Sequence, residues 1–268
     1  MQMLLIDGDI VAYRAAAAAN GISYRIQGEE FKYRNQAKAY AKENGASEED
    51  IIKLSNPDPV EYALHSVKET IKTIETVCEA TLTKVYLTGK QNFRNEVYPL
   101  YKANRISVDR PIHLGACREY LIDRFDALIY EGYEADDLLG STMTKHPNAI
   151  CASLDKDLMM ISGKHYNWVK DEFTEVSQNE ADRSFWKQML TGDATDNIPG
   201  IHGIGPVYAD RLLPRYLSNK VYYSIIFDTW KNYLGTTSYP EIEETIDIIG
   251  KLLWIKRGRK SDWKDLLA

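Results

Sequence analysis

The chain is 268 residues long, 44% hydrophobic and 27% charged, with a formal net charge of −6 at pH 7. That length and apolar content suffice for a substantial core, read as one large α/β unit with a smaller appended domain. The negative balance excludes a protein that holds nucleic acid simply by being basic all over, although a local basic face can coexist with it.

Cys78, Cys117 and Cys151 are scattered and form no CxxC pair, which excludes a disulfide framework and a cysteine zinc site. Met1 to Asp7 has no basic flank and meets an acid after a short apolar run, so it does not read as a signal peptide. No apolar run is long enough to span a bilayer. A soluble, cytoplasmic protein without membrane contact is expected.

Met3 to Ile6 reads as a buried parallel strand, ending at Asp7-Gly8-Asp9. An aspartate at the C-terminal end of a first strand stands where open α/β sheets place ligands. Asp7 or Asp9 could instead merely cap the helix expected over Val11 to Ala19. Tyr24 to Asn56 is polar and reads as a solvated insertion, with a hairpin near Gln27-Gly28 and a helix from about Asn35 to Asn44. Asp58-Pro59-Val60-Glu61 marks a helix start, and Leu64, Val67, Ile71, Ile74 and Val77 recur at helical spacing. The strand Val85 to Leu87 follows and ends at Thr88-Gly89, which makes a right-handed βαβ unit the natural topology.

From Lys90 to Arg118 the basic residues Lys90, Arg94, Lys102, Arg105, Arg110 and Arg118 outnumber Glu96 and Asp109, with Phe93, Tyr98 and Tyr101 interleaved. Basic groups contact phosphates and aromatic faces stack on bases. The alternative is an ordinary solvated face. A helix through Phe125 and a strand over Ala127 to Tyr130 lead to Glu134, Asp136 and Asp137 at a helix start. The helix dipole favours acids there, but three in four positions repel one another, and a cation is the simplest remedy. The buried strand Ala149 to Leu154 delivers Asp155 and Asp157, aimed to one side if the strand geometry persists.

A polar segment with Glu172, Glu175 and Glu180 leads to a helix over Asp182 to Leu190. Asp193 and Asp196 then stand three residues apart, before a turn punctuated by Gly200, Gly203 and Gly205 and closed by Pro206. The acidic half suits a cation; the glycine half permits close approach of a phosphate. Helices are expected over Val221 to Tyr233 and Pro240 to Leu253. The tail carries Lys256, Arg257, Arg259 and Lys260, a second candidate phosphate contact or a solvated basic end.

The strand-end acids should converge on one edge of a parallel sheet. An all-oxygen cluster selects Mg²⁺ or Mn²⁺ over zinc. Two such ions about 4 Å apart would suit phosphodiester hydrolysis. No P-loop and no Gly-x-Ser-x-Gly elbow is present.

Leu-Ile-Asp-Gly-Asp from Leu5, Tyr-Lys-Ala-Asn-Arg from Tyr101, Tyr-Glu-Ala-Asp-Asp from Tyr133, Ser-Leu-Asp-Lys-Asp from Ser153 and the Gly192 to Gly205 run occur in that order. Together they resemble the flap endonuclease/5′→3′ exonuclease family, most closely the bacteriophage enzymes and the 5′-nuclease domain of bacterial DNA polymerase I. The resemblance implies a nuclease core over residues 1–172, with an arch or clamp at 90–118. It also implies a helical region over 173–268 with a helix-three-turn-helix DNA-binding motif at 183–217. By the family pattern, Glu134, Asp136 and Asp155 serve one metal, supported by Asp7 and Asp137, and Asp157, Asp193 and Asp196 serve a second, with Asp155 close to both. Lys102 and Arg105 match the catalytic arch cations and Tyr101 a base-stacking position, with Lys90, Arg94 and Arg211 as further DNA contacts. Gly200, Gly203 and Gly205 match the turn that holds duplex phosphates through a K⁺ ion. The implied partner is DNA with a 5′ end or flap beside a duplex, or an RNA/DNA hybrid, and the implied state is a monomer in a host cytoplasm.

Two departures stand out. The family's aspartate at the end of the second strand is missing at Gly89, and Asp9 or a water is the expected substitute. Val207-Tyr208 follow Pro206 where a basic residue is usual, with Arg211 a turn further on. The rival readings are an inactive DNA-structure-binding protein, a PIN-type ribonuclease and a small-molecule phosphatase.

Overall fold

A computed structural model describes residues 2–105 and 109–268. Ile106 to Val108, within the expected arch, lie outside the described residues. In chain order the elements are β1 (Met3–Asp7), α1 (Gly8–Ala18), β2 (Ile22–Ile26), β3 (Glu29–Phe31), α2 (Arg34–Glu43), β4 (Ile52–Ser55), α3 (Val60–Val77), β5 (Leu82–Asn92) and α4 (Phe93–Val97). Then come α5 (Leu114–Phe125), β6 (Leu128–Gly132), α6 (Ala135–Lys145), β7 (Ile150–Ala152), β8 (Gly163–Asn167), β9 (Glu172–Val176), α7 (Gln178–Thr191), α8 (Pro206–Leu212), α9 (Asn219–Leu234) and α10 (Tyr239–Leu253).

Two compact units emerge. The first comprises Met1–Asp9, Ile74–Val108 and Asp126–Ala268. Its six-stranded sheet has the order β6-β5-β1-β7-β8-β9, parallel except for the β8–β9 pair. The chain builds outward from β1 through β5 to β6, then returns to place β7 on the other side of β1. The strand order therefore reverses between β1 and β7, the kind of switch point where open sheets leave a crevice beyond the strand ends. Leu4, Leu5 and Ile6 are 0% exposed, as an apolar run in a doubly covered parallel strand requires.

Three strand readings change. β5 runs on to Asn92 instead of stopping at Thr88-Gly89, with a register shift between Thr88 and Asn92. β7 stops at Ala152, so Asp155 and Asp157 are not strand neighbours; Asp155 caps a 3₁₀ turn over Lys156–Met160. The polar segment after Trp168 contains β9, which pairs antiparallel with β8 and closes that side of the sheet.

Helices α7 to α10 share an aromatic core. Phe185 lies 5.1 Å from Trp186 and 5.2 Å from Trp254, centroid to centroid, and Trp186, Trp230, Trp254 and Trp263 are all buried. The loop between α7 and α8 is pinned by Ile201 N–H to Leu190 O (2.8 Å) and by the Asp193–Ile198 bridge.

The second unit comprises Ile10–Thr73 and Asp109–Phe125. Its antiparallel sheet β3-β2-β4 includes the hairpin expected at Gln27-Gly28. Ala37 and Ala41 of α2 pack on Ile26.

Candidate active site

The site is built from β1, the start of α6, the turn after β7 and the loop after α7. Asp7 ends β1 and is 3% exposed; Ser153 Oγ donates to its Oδ2 at 2.8 Å. The same Oγ accepts the backbone N–H of Asp155 at 3.0 Å, so Ser153 ties the two strand ends together. Asp9 lies beside β5, its Oδ2 accepting the Thr88 N–H at 2.8 Å. The Thr88 hydroxyl in turn accepts the Ala135 N–H at 3.0 Å, at the start of α6. These contacts place Asp9 beside Gly89.

Glu134 caps α6, and its own N–H donates to Asp137 Oδ2 at 3.2 Å. Asp137 is the capping acid of this trio. It is 1% exposed and holds Arg94 through two hydrogen bonds, of 2.8 and 3.0 Å, with a third donor in the Lys256 N–H. Both oxygens are committed, so the expected metal-supporting role of Asp137 gives way to a structural one. Arg94 changes with it. It is 2% exposed, donates also to the carbonyls of Leu252 and Trp254, and presents no cation to DNA.

The remaining acids crowd the cleft. Burial, reinforced by Asp7, Asp155 and Glu134, pushes the Asp136 carboxyl well above the usual carboxylate range. Burial together with Asp155 and Asp193 pushes Asp157 up to about 7, although Gln188 Nε2 donates to it at 2.5 Å. Burial works against Asp193 too, but the Thr195 N–H, a hydrogen bond with Asp157 and the charge of Lys156 hold it below its ordinary value. Negative charges brought this close raise one another's proton affinity, and a cation relieves the strain.

Lys102 and Arg105 supply cations. Lys102 Nζ pairs with Glu134 Oε1 and lies 3.5 Å from Asp196 Oδ2, and Arg105 pairs with Asp196 Oδ1. The segment is held there by backbone and asparagine amides: Lys102 N–H donates to Asp196 O (2.9 Å), Asn104 Nδ2 to Ala194 O (2.8 Å) and Asn197 Nδ2 to Leu100 O (2.7 Å). Lys102 adopts φ +56°, a conformation this docking imposes on a non-glycine residue. Tyr101 does not offer its ring for stacking. It is 5% exposed, and its hydroxyl reaches Glu134 Oε2 (2.9 Å) and Asp196 Oδ2 (3.0 Å).

Among the described residues no three His, Cys, Asp or Glu side chains meet in metal-ligand geometry. The acids share a neighbourhood but not a coordination sphere, because Lys102, Arg105 and Tyr101 engage Glu134 and Asp196. The donor set nevertheless fits a hard divalent cation: it is entirely oxygen, and side-chain cations already stand among the carboxylates.

The glycine turn divides. A Cβ on Gly200 would come within 2.1 Å of the Thr191 backbone, so this glycine serves the close approach of the loop to the end of α7. Gly203, at φ +86°, and Gly205 have nothing within 4 Å of such a Cβ and remain open. Arg211 and Lys90 are exposed. Sequence reading missed Ser153, Gln188 and Thr88. Their only local signal was a polar residue close to an acid or to a strand end.

The family described as 5′-3′ exonuclease, N-terminal resolvase-like domain, matches residues 2–188. The chain belongs to this family. A flap endonuclease Xni from Shewanella sp. (strain ANA-3) is 31% identical over 147 residues, 49% of this chain and 56% of that protein. DNA polymerase I of Deinococcus radiodurans is 32% identical over 142 residues, 47% of this chain and 15% of the polymerase. The chain thus spans about half of one relative and a small part of the other. A bacteriophage T5 flap endonuclease, solved with DNA and metal ions, shares the fold at TM-score 0.52 and 15% identity, over 94% of this chain and 99% of that one. A T5 5′-exonuclease with bound zinc gives TM-score 0.51 and 17% identity, over 95% and 100%. No helix among the described residues is long and apolar enough to cross a membrane.

Proposed function

We propose that the protein is a divalent-metal-dependent, structure-selective 5′-nuclease that hydrolyses DNA phosphodiesters at a 5′ end or flap beside a duplex, in replication or repair. The observation that carries this reading is the convergence of Asp7, Glu134, Asp136 and Asp155 beyond one edge of the parallel sheet, with Lys102 and Arg105 docked on them. Asp7, Asp9, Glu134, Asp136 and Asp155 are candidates to hold one Mg²⁺ or Mn²⁺, and Asp157, Asp193 and Asp196 a second. When bound, such ions lower the pKa of water and stabilise a leaving oxygen.

The chain's own residues do the positioning. Ser153 fixes Asp7 relative to Asp155, and Gln188 fixes Asp157. Lys102 and Arg105 would exchange their carboxylate partners for the scissile phosphate once metal neutralises the acids. Residues 183–217, with Gly203 and Gly205 open on the turn, would grip duplex phosphates, where K⁺ could assist. Lys90 and Arg211 lie exposed for further phosphate contacts. An RNA strand in a hybrid, including a replication primer, is a second substrate of this reading. A monomer in a host cytoplasm completes it.

The purified protein incubated with Mg²⁺ and end-labelled flap, blunt duplex, single-stranded DNA and RNA tests the proposal. Mg²⁺-dependent cleavage at a 5′ flap or 5′ end, abolished by chelator, is expected; cleavage of single-stranded RNA alone would point to a PIN-type ribonuclease. The second reading is a DNA-structure-binding protein without activity. It is favoured by Gly89 and by the engaged carboxylates, and tight flap binding without cleavage would establish it.

A further inference from the structure

The first unit holds an opening besides the carboxylate cleft. It is a cavity of about 310 Å³ on the far side of α6, near the lower end of the size range of small-ligand sites. Its floor is the face of β5 and β6 that carries Lys84, Tyr86, Leu128 and Tyr130, with Tyr86 opposite Leu128 in register. Its wall is one stripe of α6, Leu138, Ser141, Thr142 and Lys145, at helical spacing. A helix lying on a sheet ordinarily turns an apolar stripe toward it. α6 does so through Ala135, Leu139 and Met143, buried with Leu5, Tyr86 and Cys151, while the adjoining stripe on the cavity is polar at three of its four positions.

The rim is the basic tail noted in the sequence. Lys256, Gly258 and Arg259 close the cavity, with Tyr133 beside them. The tail is pinned: Lys256 N–H donates to Asp137, Arg257 N–H to Ser261 Oγ (2.8 Å), and Arg257 itself pairs with Asp182. The approach is also close. A Cβ on Gly140 of α6 would meet Ile255 Cγ2 and Lys256 O at 2.8 Å. The cavity is therefore pre-formed and not a gap under a loose end.

Its charge is one-sided. The one acid in the lining, Asp137, has both oxygens occupied by Arg94 and the Lys256 N–H. Lys256 Nζ is spent on Ser261 O (2.8 Å) and lies over the Phe93 ring. Lys84, Lys145 and Arg259 form no ion pair among the described residues. Tyr130 is 43% exposed. The Tyr86 and Thr142 hydroxyls engage each other at 2.9 Å, but uncommitted cations beside the exposed Tyr130 ring and the half-buried Tyr133 ring suit a ligand with an anionic group and a flat ring.

We propose that this cavity binds a nucleotide unit, its phosphate toward Lys145 and Arg259 and its base against Tyr130 and Tyr133. The source is a free mononucleotide or one nucleotide of a strand. The choice of a nucleotide over another ring-bearing anion rests on the nuclease reading above; the cationic, aromatic cavity does not.

The test is calorimetric titration of the metal-free protein, in chelator, with dAMP, ribose 5-phosphate and a 5′-phosphorylated oligothymidylate. Saturable binding of dAMP or of the oligonucleotide is expected, tighter than ribose 5-phosphate. Either one alone supports the site and assigns its source. Lys145→Ala/Arg259→Ala and Tyr130→Ala should each weaken binding about ten-fold or more with unchanged circular dichroism, whereas Asp193→Asn should leave it intact. Absence of saturable binding, wild-type affinity in the double variant, parity with ribose 5-phosphate, or loss on Asp193→Asn would each overturn the proposal. Cleavage is not the readout, so an inactive protein that binds dAMP here would sink the nuclease reading and leave this one standing.

Discussion

Arg94 and Asp137 form a two-pronged ion pair, 2.8 and 3.0 Å, with 2% and 1% of their surfaces exposed. Breaking one side of such a pair strands a buried charge, at a cost of about 3–5 kcal/mol. Arg94→Met should therefore lower unfolding free energy by about that amount in urea titration. Arg94→Met/Asp137→Asn should recover part of it, because the substituted carboxamide is neutral and its single oxygen can still accept from one of the Glu134 and Lys256 amides, which donate to different oxygens of Asp137. A loss below about 1 kcal/mol, as for a surface cation, would contradict the burial seen here.

Lys102 pairs with Glu134 and approaches Asp196, where it competes with any cation for the same oxygens. Removing its charge should tighten Mg²⁺ binding to the DNA-free protein by about three- to ten-fold, read by calorimetry, while flap cleavage falls by about a hundred-fold. Weaker Mg²⁺ binding in Lys102→Ala would mean that the lysine shapes the carboxylates instead of competing for them.

Asp9 holds the Thr88 amide beside Gly89, where the resemblance implies an aspartate. If Asp9 makes up for that missing ligand, Asp9→Ala should lose Mg²⁺-dependent cleavage almost as completely as Asp155→Ala. Near-normal turnover in Asp9→Ala would rule this out and leave Asp9 as a clamp on β5.

Asp157 is pushed up to about 7 from an ordinary 3.8, chiefly by burial and then by Asp155 and Asp193. A carboxyl raised in the folded state binds more protons there than in the unfolded chain, so its contribution to stability is present below pH 3.8 and lost as pH rises through 7. In chelator, the melting temperature should fall between about pH 5 and pH 8 more steeply for the native protein than for Asp157→Asn, and Mg²⁺ should restore it at pH 8. Parallel pH profiles for the two proteins would count against a raised Asp157.

Gly200 and Gly205 separate packing from openness. Gly200→Ala would drive a methyl to 2.1 Å from the Thr191 backbone, whereas Gly205→Ala meets nothing within 4 Å. The first should cost about 2–3 kcal/mol or fail to fold, and the second about 0.5 kcal/mol or less, by chemical denaturation. Equal costs would contradict the tight approach at Gly200.

The local sequence determined most of the helices and the start of the central strands, and that acids gather near element ends, but not where β5 and β7 stop or that β9 exists. Leu4 to Ile6 is apolar on every residue because a parallel strand is covered on both faces, and Val67, Ile71 and Ile74 mark the buried face of a helix, although Val77, expected on that face, is 40% exposed and Ala63 and Cys78 complete it instead. Spacing of this kind reports only neighbours along the chain. It could not distinguish Arg94 from Lys102, because both sit in one basic run. Only the fold sends Arg94 inward to Asp137, 43 positions away, and Lys102 to Glu134, 32 away. Nor could it show that Tyr101 packs inward or that Gly200 meets α7. The cavity behind α6 joins residues from 84 to 259 that share no motif. Charge type and periodicity are local properties; which charges are desolvated, and against which partner, depends on topology. For that reason the family and the acidic motifs were legible in the chain, while the division of its cations and acids between structure and site was decided only in three dimensions.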